Sequence, residues 1–265
     1  MAVTPEDLTS LVQVNIPFPF LLDGYLEKFL QGGLNPEIGL DGDSLGRYPP
    51  GEFRRMARAF REARRRVTLH GPFQDMSPGA LDDWVLQACR RRLRQAFKWL
   101  PVFKPVSIVC HLAYEARFYQ WARDEWLARS AATWKEFTAR AAALGVTVML
   151  ENVYETEPEL FLEVISRVGA PNFKVCFDVG HLHSFGDGDF DRWLNTLGSH
   201  IGQLHLHDNN GDGDDHLALG RGTVPVKHVL NYLASHKIKP IITLEPHQEG
   251  SLGPSLEYLA QIWPW

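Results

Sequence analysis

Lys174-Val-Cys-Phe-Asp-Val-Gly-His181, the helical run Asp189–Leu197 and Gly202-Gln-Leu-His-Leu-His207 make up one strand, helix, strand unit. Both strands are short and apolar, and each closes on a side chain that binds metal: Asp178 in the first, His205 or His207 in the second. Working outward, the same alternation continues to both ends. Strands are predicted at Leu11–Asn15, Glu37–Leu40, Val67–His70, Ser107–His111, Val146–Glu151, Lys174–Asp178, Gly202–His207 and Pro240–Glu245. Helical patterns separate them at Gly51–Arg65, Leu81–Leu100, Ser130–Leu144, Glu157–Arg167, Asp189–Leu197 and Val226–His236, with Leu252–Ile262 closing the chain. Eight such alternations without a Gly-x-Gly-x-x-Gly turn predict a closed (β/α)8 barrel rather than an open doubly wound sheet. The 265 residues suit one barrel domain spanning 1–265, a fold that takes ~250 residues.

Composition narrows the function. Hydrophobic residues make up 45% of the chain, enough for a large core. No basic leader precedes an apolar segment and no run approaches a membrane span, so the expectation is a cytoplasmic protein without a membrane partner. Cys89, Cys110 and Cys176 are too far apart for a thiolate zinc site and read as core thiols. A net charge of -5 argues against duplex nucleic acid as partner. The arginines from Arg54 to Arg66 and from Arg90 to Arg94 read as the solvated outer face of helices. Trp121, Trp126 and Trp134 read as packing residues, and Asn15 and Glu37 as structural ones.

Active sites of such barrels lie at the C-terminal ends of the strands. Six successive predicted strands end there in a metal-ligand side chain: His70, His111, Glu151, Asp178, His205 and Glu245. Buried carboxylates and imidazoles crowded at one mouth require a counter-charge, and a divalent cation is the natural one. His181 follows Asp178 by one turn, and Asp214-Asp215-His216 sits in a Gly/Asp-rich loop. Nitrogen and carboxylate donors without thiolates suit Zn²⁺ or Mn²⁺. Gly186–Asp189 and Asn210–Asp214 lack the spacing of a calcium loop and are read as turns. His183, His200, His228 and His236 fall outside the strand-end rhythm and receive no role.

Taken in order, His70-Gly-Pro-Phe73, His111, Leu150-Glu-Asn152, Phe177-Asp-Val-Gly-His181, His205-Leu-His-Asp-Asn209, the Asp214–Gly222 segment and Leu244-Glu-Pro246 resemble the xylose-isomerase-like barrels that include endonuclease IV. The resemblance runs from about strand three to strand eight. By the endonuclease IV pattern, His70 and His111 would share one zinc with a bridging Glu151. Asp178, His205 and Glu245 would hold a second, and His181, Asp214 and His216 a third. By the isomerase and epimerase pattern, Glu151, Asp178, His205 and Glu245 alone would hold one metal, with Mn²⁺ preferred, and Glu151 and Glu245 would be the catalytic proton carriers. The same stretches are similar to the cobamide-remodelling phosphoesterases of this superfamily. Arg221 stands where many relatives carry an acid, and together with Asn152 and His207 it is assigned to substrate. The expectation that follows is a zinc hydrolase with two or three ions, acting on the phosphoester of a small phosphorylated molecule. The alternative is a metal-dependent sugar or sugar-phosphate isomerase or epimerase, and a DNA-cleaving enzyme ranks below both.

Overall fold

The computed structural model describes residues 3–265. Its strands are β1 (Gln13–Pro17), β2 (Asn35–Gly39), β3 (Thr68–His70), β4 (Ser107–His111), β5 (Thr147–Glu151), β6 (Phe173–Asp178), β7 (Ile201–Leu206) and β8 (Ile241–Leu244). They pair in sequence order, all parallel, and β8 closes on β1. The chain is thus the (β/α)8 TIM barrel expected from its alternation. Register aligns the strand ends across the mouth: His111 pairs with Glu151, and Asp178 with His205.

The core lies mainly between barrel and helices. In helix Pro50–Glu62, Phe53, Met56, Ala57 and Phe60 recur at helical spacing and are buried, while Arg54, Arg55, Arg58 and Arg61 face solvent as expected. Phe53 is stacked between Phe18 and Trp99, with ring centroids 4.2 and 4.3 Å away. A separate small cluster of Val109, Met149 and Cys176 packs against Ile241. All three cysteines are free and buried. Trp126 and Trp134 pack as expected, but Trp121 is 81% exposed and does not, because it lies in the short 3-10 turn Gln120–Ala122 before the long helix begins.

Element boundaries differ from the predictions where caps decide them. Thr4 and Asp7 form a capping box that opens helix Pro5–Leu11, so β1 starts at Gln13 instead of Leu11. Helix Arg123–Ala142 begins seven residues before the predicted Ser130, where Asp124 and Glu125 occupy its first turn. Between β1 and β2 the helical path kinks within Leu21–Tyr25, where Asp23 and Gly24 leave helical geometry and Gly24 has φ of 90°. Helix Val179–Phe185 had no sequence prediction; Asp178 caps it by accepting a hydrogen bond from the His181 N–H at 2.7 Å. No helix of the described residues is long and apolar enough to cross a membrane.

Candidate metal centre

Strands β3 to β8 each deliver one donor at or beside their C-terminal ends, and Glu151 stands at the centre. Its Oε2 lies 3.0 Å from His70 Nε2 and 3.1 Å from His111 Nε2. Its Oε1 faces the other way, 2.8 Å from His205 Nδ1. Glu245 Oε1 is 3.1 Å and Asp178 Oδ2 3.8 Å from the same His205 nitrogen. A third set adjoins these: Asp214 Oδ2 lies 3.3 Å from His216 Nε2 and 3.6 Å from His181 Nε2. Donor atoms lie within 4.8 Å of one another in His70, His111 and Glu151, in Glu151, Asp178 and His205, and in His181, His207, Asp214 and His216; Glu245 groups with Glu37 and His205 and again with Asp178 and His207. All nine sequence-predicted ligands are therefore brought together, and Asp214 rather than the exposed Asp215 is the inward carboxylate.

Three residues assigned to substrate have other surroundings. Asn152 is buried, and its side chain is spent on the backbone of Asp178: it donates to the carbonyl at 2.9 Å and accepts from the N–H at 2.9 Å. It thereby locks the ends of β5 and β6 together. His207 is buried, with Nε2 3.2 Å from Asp178 Oδ1 and 3.6 Å from Asp214 Oδ1, so it belongs with the third donor set. Arg221 is exposed and is not among the residues lining the cavity above the histidines, because the Gly220–Gly222 turn is devoted to backbone packing. Gly220 has φ of 79°, and a side-chain carbon at Gly222 would collide with the Asn209 carbonyl oxygen.

Glu37, read from sequence as structural, supports the centre from beneath. It is fully buried, and its Oε1 is 2.8 Å from His205 Nε2. Its Oε2 accepts from Thr68 at 2.8 Å and Thr243 at 3.1 Å. The Glu37 carboxylate stands beside one ring nitrogen of His205, and the other, Nδ1, faces Glu151 and Glu245. The signal available in the sequence was an acidic residue in the middle of an apolar strand. His247 was also missed; its ring stacks on His216 at 3.5 Å, which in turn stacks on His207 at 3.7 Å. Asp41, Asp43 and Gln74 line the cavity too, and no strand-end rhythm marks them.

Electrostatics test whether these residues fit metal. Five carboxylates (Glu37, Glu151, Asp178, Asp214 and Glu245) converge on histidines, and no Lys or Arg is among the cavity-lining residues. Asp178 Oδ2 and Asp214 Oδ1 are buried without a hydrogen-bond partner. Without ions, protons must supply the balance. Burial opposes the charged form of His181, yet Asp178, Asp214 and Glu151 hold its pKa up at about 10. Burial likewise opposes charge on His70 and His205, and neighbouring carboxylates raise both. Burial dominates at His111 and lowers it. Glu151 lies well below the usual carboxylate range, because His205 and His111 outweigh its burial. Orphaned carboxylate oxygens and an excess of oxygen and nitrogen donors thus fit divalent metal.

The comparisons with known proteins agree with this architecture. The model of the xylose isomerase-like TIM barrel family matches residues 37–262. A solved protein of Thermus thermophilus, TTHB071, soaked with ZnCl2, is 25% identical with a TM-score of 0.82, over 96% of this chain and 98% of that one. A D-tagatose 3-epimerase-like protein is 23% identical with a TM-score of 0.81, over 94% and 96% of the two chains. D-psicose 3-epimerase of Clostridium cellulolyticum, solved with D-tagatose, is 18% identical with a TM-score of 0.72, over 95% and 89%. An uncharacterized protein of Methanocaldococcus jannaschii, MJ1311, is 27% identical over 186 residues, which are 68% of this chain and 64% of that protein's length. With the closed barrel, the strand-end donors and a family match over most of its length, the chain belongs to the xylose isomerase-like TIM barrel family.

Proposed function

We propose that the chain is a divalent-metal-dependent hydrolase that cleaves a phosphoester of a small molecule at a polynuclear, zinc-preferring centre. One observation carries this reading: Glu151 presents its two carboxylate oxygens to two different donor sets, and a third set stands beside them. Divalent ions held there would activate water for attack and neutralise charge building on the phosphoryl oxygens. Glu151 would bridge and fix the spacing of neighbouring ions; Glu37 would hold His205 in register; Asp178 would join the second set to the third. The cavity of about 450 Å³ is lined by carboxylates and histidines without Lys or Arg, so a phosphate is tolerated there only on the donor sets themselves. The resemblance of the sequence to cobamide-remodelling phosphoesterases supplies one substrate to try.

A second reading, metal-dependent epimerisation of a sugar, has its own support. Glu151 and Glu245 both approach His205 Nδ1, as a pair exchanging a proton across one ion would. The solved proteins of similar fold named above include two that are titled as a ketose 3-epimerase or as resembling one, which favours this reading over hydrolysis. Under it, His70, His111 and His181 would contact substrate hydroxyls.

Metal content of the purified protein and a substrate panel separate the two. Two or three zinc ions per chain, with turnover of bis(4-nitrophenyl) phosphate, sugar phosphates or cobamides, is the expected outcome. A single Mn²⁺-preferring site with exchange of a ketohexose C3 proton into D2O would overturn hydrolysis in favour of epimerisation. Turnover confined to abasic duplex DNA would overturn both.

A further inference from the structure

The cavity lined by the donor sets adjoins a second compartment of different character. Asn15, Pro17 and His247 line both it and an adjoining cavity of about 480 Å³, a volume typical of ligand sites. The first compartment carries the carboxylates and imidazoles. Walls of the second are apolar: Val14, Ile16, Phe20, Phe29, Leu34 and Leu252. Of its polar side chains, Asn15 and His247 stand on the boundary with the first compartment, and the other three satisfy one another, since Lys28 Nζ pairs with Glu249 Oε1 at 2.7 Å and the Tyr25 hydroxyl donates to Glu249 Oε2 at 3.1 Å. No unpaired charge is left there to draw a phosphate or a carboxylate. Phe20 is 49% exposed and faces Tyr25 in a stacked pair, with centroids 5.8 Å apart. The turn at Leu21–Tyr25 leaves helical geometry at Asp23 and Gly24; Tyr25 packs against the core, while Phe20 stays half exposed at the annex.

We infer that this annex receives an uncharged aromatic group of the substrate, joined to the phosphoester that the donor sets engage. The inference rests on the hydrolase reading and names the substrate class: an aryl-bearing phosphoester, not a free sugar. Sugar hydroxyls in the annex would exchange water for apolar walls and lose their hydrogen bonds. An aromatic ring would instead bury its faces against Phe20, Phe29 and Leu34 while its polar attachment stayed beside His247.

Equilibrium binding tests this without turnover. Calorimetry on zinc-loaded protein compares methylphosphonate with phenyl-, benzyl- and 2-naphthylmethylphosphonate. At least one aryl ligand is expected to bind tenfold or more tightly than methylphosphonate. Phe20→Ala and Leu252→Gln, both on the partly exposed rim, are expected to abolish that gain with methylphosphonate affinity and zinc content unchanged. Equal affinity for methyl and aryl ligands, or a gain that survives both variants, overturns the annex and leaves the hydrolase reading standing. Failure of every phosphonate to bind overturns both.

Discussion

Gly180 shows how closely single residues are constrained at this centre. A side-chain carbon there would overlap Cε1 of the His207 ring, so the glycine of Phe177-Asp-Val-Gly-His181 exists to admit an imidazole. Both sides are rigid: Asp178 caps the helix that carries Gly180, and His207 sits in a fully packed position. Gly180→Ala is expected to destabilise the fold by ~1–3 kcal/mol through overpacking and to lower metal content at the third donor set. Gly51→Ala, in open space on helix Pro50–Glu62, is the control and is expected to be neutral or slightly stabilising. Denaturant midpoints and bound metal would be measured together; equal stability and metal content in the two variants would refute the role given to Gly180. His216 carries a related constraint, since its φ of 47° places a non-glycine residue in the left-handed region at a proposed metal-ligand position. Neither constraint is visible in composition or periodicity, because each depends on what approaches from another strand.

Among the elements, the segment from Asp208 to Val224 decides whether the third donor set exists. It leaves β7 and returns Asp214 and His216 over the mouth, and a single residue pins it. Asp208 accepts hydrogen bonds from the N–H groups of Asn209, Gly220 and Val224 at 3.0, 2.9 and 3.0 Å. Its backbone forms a two-way bridge with Leu217. Asp208→Ala would leave the buried Asn209 and Val224 donors unpaired at a cost of ~1–3 kcal/mol for each group left unsatisfied. The expected result is loss of metal from the third set while His70, His111 and Glu151 keep theirs, read by metal analysis alongside circular dichroism. Unchanged metal content with a lowered melting temperature would show that the loop is merely structural. The motif His205-Leu-His-Asp-Asn209 was legible in the sequence, but Asp208 was not distinguishable from the ligands around it. Glu155 is a parallel case between the loops after β4 and β5: it accepts from the Tyr114 and Val153 N–H groups at 2.9 and 2.8 Å, and burial raises its pKa to about 7.

At the scale of the whole molecule, charge balance links metal, protons and stability. His181 has a pKa of about 10 in the metal-free protein against an ordinary value of 6.5, so it is protonated at neutral pH. Its contribution to metal-free stability is therefore complete below about pH 6.5 and is lost as pH rises through about 10. A metal ligand must be unprotonated, so zinc loading at pH 7 is expected to release at least the His181 proton, and apparent zinc affinity is expected to rise with pH. Titrations in buffers of different protonation enthalpy would show this directly, and heats independent of buffer would contradict it. Chelation should lower the melting temperature, because ions that bind only the folded state stabilise it by mass action.

The sequence by itself determined the barrel and the nine donors at its mouth, because strand period and strand-end position are local properties that each segment carries alone. Only the tertiary structure decided which donors share a set, that Glu37 and His207 join the cluster, that Asn152 is spent on the backbone of Asp178 while Arg221 faces away from the cavity, and that an apolar annex opens beside the donors. Those relations run between residues from distant strands, and it is barrel closure that sets the distances across which their charges and rings interact.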